Sequence, residues 1–103
     1  MRDLLNTLAD VSRRLDALAI PFMLTGSMAQ NYYAIERMTA DIDLVMELKP
    51  EDVPRFLAEF QRDFYVSGES VLLAVRNASP FNLIHLESII KVDCVIKTTS
   101  EYA

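Results

Sequence analysis

Apolar and polar positions recur along this chain with two different periods. Over residues 2–20, Leu4, Leu8, Val11, Leu15 and Leu18 fall at spacings of three and four, with Asp3, Asp10, Arg13, Arg14 and Asp16 between them. That spacing predicts an amphipathic helix with one buried stripe, which Pro21 ends. Residues 22–25 form a short apolar run that reads as a buried strand, followed by a Gly26-Ser27 turn and a short helix over 28–35. A second apolar strand then opens at Asp41. Pro50, Glu51 and Asp52 suit a helix start, and Val53, Phe56, Leu57 and Phe60 carry that helix over 51–63. Residues 64–66 read as extended, 67–77 as a helix built on Val71, Leu72 and Val75, and Ser79-Pro80 as its break. Two β-rich runs, 81–86 and 89–96, close the chain as a hairpin-like pair with Glu87-Ser88 as a tight link.

The strand period decides where the acids point. Side chains alternate faces, so Asp41 and Asp43 project to one side about 6.5 Å apart at Cα, while Ile42 and Leu44 enter the core. In the last strand Ile90, Val92, Cys94 and Ile96 share the core face, and Lys91, Asp93, Val95 and Lys97 share the other. Two bare carboxylates repel by about 4 kcal/mol at 4 Å for an effective dielectric near 20. A proton or a cation between them removes that cost, and a hard divalent ion with oxygen ligands, Mg²⁺ above all, is the usual choice. Gly26 lets backbone approach a ligand closely, and Ser27 opens a helix whose free N–H groups favour an anion. One element suits phosphate and the other suits metal.

Composition narrows the classes. At 103 residues the chain is one domain, 1–103, that buries about 65% of its unfolded surface. A net charge of −5 gives no support to nucleic acid as a partner, because non-specific duplex binding rests on many Lys and Arg contacts. No run is long and apolar enough to span a membrane, so no membrane partner is expected. The single Cys94 has no internal disulfide partner, and the cytoplasm is the expected compartment.

Gly26-Ser27, thirteen further residues, and then Asp41-Ile42-Asp43 followed by Leu44-Val45 resembles the signature of the DNA polymerase beta-like nucleotidyltransferase superfamily, in its minimal-nucleotidyltransferase branch. Arg37-Met38-Thr39-Ala40-Asp41 and the later Phe81-to-Glu87 run leading to Lys91-Val92-Asp93 are similar to small bacterial nucleotidyltransferases of the AbiEii type. The resemblance implies an α/β (α+β) nucleotidyltransferase fold, a small mixed β-sheet with helices packed mainly on one face. It implies Asp41, Asp43 and Asp93 as catalytic, metal-holding carboxylates of a two-metal Mg²⁺ site, with Mn²⁺ as a substitute. Gly26, Ser27, Arg37, Thr39 and Lys91 would contact the phosphates. The implied reaction moves a nucleoside monophosphate from an NTP to a hydroxyl of an acceptor (a protein, an RNA end or a small molecule), with a toxin–antitoxin pair as one setting. Family members usually continue past the third acid into further helices. This chain stops at Ala103, so the expectation is either a site completed by a second protomer or a partner protein, or a minimal or truncated form.

Other polar residues read as structure. Arg13-Arg14 reads as a solvated helix face, Tyr32 and Tyr33 as packing residues, His85 as a packed strand histidine and Cys94 as a small hydrophobe. Two further classes stay open beside the enzyme. One is a non-catalytic nucleotide- or partner-binding module with the same fold. The other is a structural domain whose acids form surface ion pairs.

Overall fold

A computed structural model describes residues 2–24 and 41–97, apart from the side chains of Arg2 and Asp41. The turn at Gly26-Ser27, the helix expected over 28–35 with Tyr32 and Tyr33, and the candidate phosphate contacts Arg37 and Thr39 lie outside the described residues. What is described is a small mixed α+β domain. Its elements are α1 (Arg2–Ala17), β1 (Phe22–Leu24), β2 (Asp41–Met46), a 3₁₀ turn (Pro50–Asp52), α2 (Val53–Phe60), β3 (Phe64–Tyr65), α3 (Gly68–Asn77), β4 (Phe81–His85) and β5 (Lys91–Ile96). The five strands form one sheet in the order β1-β2-β5-β4-β3. The central pair, β2 with β5, is parallel, and the other three pairs are antiparallel.

One face of this sheet carries the core. Ile42, Leu44 and Met46 of β2 and Val92, Cys94 and Ile96 of β5 are buried, as the alternation requires. They pack with Leu4, Val11 and Leu15 of α1, Phe56 and Phe60 of α2, and Val71 and Ala74 of α3, so all three helices lie on that side. On the other face Met23, Tyr65 and Val95 are exposed. No described helix is long and apolar enough to cross a membrane.

Several features differ from the sequence expectation, among them the helix expected over 51–63, which is α-helical only over Val53–Phe60; two others, at α1 and the last strand, have a local reason. Helix α1 stops at Ala17 rather than at residue 20, because Ala19 turns left-handed at φ 59°. The Ile20 amide then bonds the Leu15 carbonyl at 3.0 Å and the Ala19 amide bonds that of Asp16 at 3.0 Å, a Schellman closure with buried Leu15 and Ile20 as its apolar contact. The last strand begins at Lys91 rather than 89, because Ile89 is also left-handed, at φ 62°. Its amide bonds the His85 carbonyl at 2.8 Å, so the β4–β5 link is wider than Glu87-Ser88 alone. β1, expected as a buried strand, stands at the end of the sheet formed by the described residues, paired there with β2 and with Met23 and Leu24 exposed.

Arg14 also departs from expectation. It is no solvated residue: its side chain is only 11% exposed and ties three elements together. The guanidinium bonds Asp10 at 3.1 Å, the Glu59 carbonyl at 2.9 Å, the Glu59 carboxylate at 3.3 Å and Asp63. It also lies 5.5 Å from the Phe64 ring and 6.0 Å from the Phe60 ring, within cation–π range. Beneath it run the aromatic contacts Phe56–Phe60 and Phe60–Phe64, with centroids 4.6 and 5.4 Å apart.

Two predictions follow from these caps and bridges. Left-handed alanine is strained where glycine is not, so Ala19→Gly and Ala78→Gly (Ala78, φ 56°, caps α3) should each stabilise the fold by about 0.5–1 kcal/mol in denaturant titrations. A loss of stability in either variant would contradict that account. For the bridge, the hydrogen bond from Arg14 holds the Asp63 carboxyl below its ordinary value of 3.8. A carboxyl depressed in the folded state contributes stability above 3.8, and that contribution is lost as pH falls below it. Arg14→Ala should cost about 2 kcal/mol at neutral pH, the scale for hydrogen bonds to charged groups. The acid limb of its stability curve should also flatten below pH 3.8 relative to wild type.

Candidate active site on the outer sheet face

The acids meet through strand register. In the parallel β2–β5 pair Asp43 lies opposite Asp93 and Asp41 opposite Lys91. Partners across parallel strands sit about 4.8 Å apart and project to the same face. Asp43 and Asp93 are therefore neighbours on the outer face, both half-buried. Asp41 stands two residues earlier on the same strand face. The burial of Ile42, Leu44, Val92 and Cys94 on the other side fixes this orientation, since a one-residue slip would turn the acids into the core.

Lys91 and Asn82 both reach Asp93. Lys91 Nζ lies 3.7 Å from Asp93 Oδ1. Asn82, opposite Asp93 across the antiparallel β4–β5 pair, reaches the same oxygen at 2.9 Å with its amide nitrogen turned toward it. Asn82 is the residue that sequence reasoning missed. Its only signal was a polar position between two apolar ones in β4, and its role depends on the hairpin register. The Asp93 side chain is 33% exposed, so it combines a defined orientation with access from solvent.

The remaining candidates divide by face. β1 runs antiparallel to β2 with Leu24 opposite Leu44, so β1 points toward the end of β2 that carries Asp43 and Asp41. Gly26, Ser27, Arg37 and Thr39 lie outside the described residues. Lys91 is on the acid face. His85 is not: it follows Phe81 and Leu83 on the core face, stands edge-on to Phe64 at 5.0 Å, and its Nδ1 accepts a hydrogen bond from the Ser88 amide at 3.1 Å. That geometry makes it a packing residue that fastens the β4–β5 turn. Burial pushes the Cys94 thiol far above its usual range, and the neighbouring Asp93 charge adds to the shift. The thiol is therefore chemically quiet.

As a donor set, Asp43 and Asp93 fit a hard divalent cation: carboxylate oxygens on adjacent strands, open to solvent on one side. Among the described residues, which do not include the Asp41 side chain, no group of three His, Cys, Asp or Glu side chains is gathered for a metal. Comparison with protein-family models, curated proteins and solved structures gives no match. The site is argued from its geometry.

Like charges directly opposite on a sheet cost roughly 0.2–1 kcal/mol. A cation between the two carboxylates offsets that cost, so Mg²⁺ should raise the melting temperature of the wild type, relative to buffer containing EDTA, more than that of Asp43→Asn. Equal responses of the two proteins to Mg²⁺ would count against a metal at this pair.

Proposed function

We propose that the chain is a Mg²⁺-dependent nucleotidyltransferase, related to the DNA polymerase beta-like superfamily, that moves a nucleoside monophosphate from an NTP to an acceptor hydroxyl. The observation that carries this reading is the in-register pairing of Asp43 with Asp93 on an accessible sheet face, with Asp41 two residues along. Asp41, Asp43 and Asp93 would hold the metal, which when bound offsets triphosphate charge and lowers the pKa of a coordinated hydroxyl.

The rest of the proposed work belongs to this chain's own side chains. Asp93, held by Asn82 and Lys91, takes the proton of the acceptor hydroxyl. Lys91 places a positive charge beside the reacting phosphate. Gly26, Ser27, Arg37 and Thr39 grip the triphosphate, the glycine and serine through backbone N–H groups and Arg37 through a charge-assisted contact.

One observation favours a second reading, the non-catalytic binding module: the Lys91–Asp93 contact gives Asp93 a cation without any metal. Calorimetry of all four ribonucleoside triphosphates, with and without Mg²⁺, separates the two. The nucleotidyltransferase should bind at least one NTP only with Mg²⁺. Asp43→Asn/Asp93→Asn should weaken that binding at least tenfold, about 1.4 kcal/mol. Metal-independent binding that survives the double substitution identifies the module. Absence of binding under every condition would sink the enzymatic reading for this chain alone.

A further inference from the structure

Past Asn82 the acid-bearing face continues into a cavity of about 420 Å³, lined by Tyr65, Ser67, Ser70, Asn82 and Ile84 among others. Tyr65, Asn82 and Ile84 line it from the side of the acids, and Phe81 together with Ser67 and Ser70 at the start of α3 line it from the core side. Tyr65 pairs with Ile84, Ile84 with Lys91, and Asn82 with Asp93, so these side chains all project from the outer face. Asn82 belongs to both places, lining the cavity while its amide touches Asp93.

We propose that this cavity is the acceptor site, taking an uncharged, hydroxyl-bearing small molecule whose ring lies on Tyr65 and whose reacting hydroxyl reaches Asp93. The inference rests on the nucleotidyl-transfer reading above and adds the acceptor class to it. Three observations carry it. The first is reach: β3 and β5 are two strand spacings apart, about 10 Å, the span of one ring with a hydroxylated substituent. The second is the platform. Tyr65 is 63% exposed, an aromatic surface that a small β3 has no packing need to present. The third is charge. The lining is made of hydroxyls, an amide and apolar atoms, groups that both donate to and accept from ligand hydroxyls. Of the charges nearby, Asp43 and Asp93 on the face and Glu69 in the first turn of α3 outnumber Lys91, which stands opposite Ile84 and is paired with Asp93. A phosphate or carboxylate ligand would be repelled there.

In the step this assigns, the acceptor oxygen forms a bond to the α-phosphorus of the NTP. The bond from that phosphorus to the bridging oxygen breaks, and pyrophosphate leaves with the electron pair. The hydroxyl proton passes to the Asp93 carboxylate and on to solvent. The cavity supplies position, and Asn82 keeps the Asp93 oxygen turned toward the bound hydroxyl.

The test uses phenyl β-D-glucoside, a ring with neutral hydroxyls, against phenyl β-D-glucuronide, its carboxylate counterpart of similar shape. Amide shifts are followed by NMR on the whole chain. The glucoside should shift residues 67–70 and 81–84 saturably, the glucuronide should bind at least threefold more weakly, and Tyr65→Thr, which retains β propensity, should weaken the glucoside about tenfold. The dispersion of the variant's own spectrum reports whether it is folded. No saturable shift in those stretches, equal affinity for the two probes, or indifference to Tyr65→Thr would each overturn the site. Mn²⁺ is then added as a relaxation probe. Broadening of Asp43, Asp93 and the bound glucoside together supports the acceptor role. Broadening of the acids without the glucoside removes that role and leaves the proposed function standing. Acids left sharp by Mn²⁺ overturn the acceptor role together with the reading it rests on.

Discussion

Everything on the outer face depends on one pairing, the parallel match of β2 with β5. Its six registered positions put Ile42, Leu44 and Met46 against Val92, Cys94 and Ile96 on the core side. Burying such side chains contributes roughly 1.5–3 kcal/mol each, well above the cost of opposing two surface carboxylates. The hydrophobic face thus determines the register, and the register holds the acids together. Parallel strands need a long crossover, and here α2, β3, α3 and β4 supply it. The covering helices and the acid pair are products of the same folding event.

The two faces divide the labour. On the core side Arg14 clamps α1 to the end of α2 and to the turn at Asp63, above the aromatic row of Phe56, Phe60 and Phe64. None of those groups reaches the acid face. The clamp stiffens the support while the opposite surface remains accessible, an arrangement that suits a site built on strands rather than loops. His85 belongs to the support as well, locking the turn between β4 and β5 through Ser88 and so preserving the alignment of Asn82 with Asp93.

Local pattern made much of this legible before any coordinates. The three described helices follow from apolar spacings of three and four, and the outward direction of Asp43 and Asp93 follows from alternation. What the pattern does not contain is which strand lies beside which. The Asp43–Asp93 contact joins positions 50 residues apart through a crossover, and no local period encodes that distance. The hairpin lies nearer in sequence, because a link centred on Glu87-Ser88 sets Asn82 opposite Asp93, yet the polar residue at 82 carries no local mark of that contact. Boundary errors at Ala19 and Ile89 share one cause: residues other than glycine in left-handed conformations, which residue type alone does not announce. Arg14 was misjudged because its partners, Glu59 and Asp63, are distant in sequence.

The buried thiol of Cys94 has a use of its own. It stands in the central strand next to Asp93, fully screened from solvent, and is the chain's single cysteine. A thiol reagent reaches it only when the middle of the sheet separates, so the rate of labelling is a clock on that opening event. The molecule carries its own tracer for the breathing of its core, one residue from the carboxylate on which the chemistry is proposed to turn.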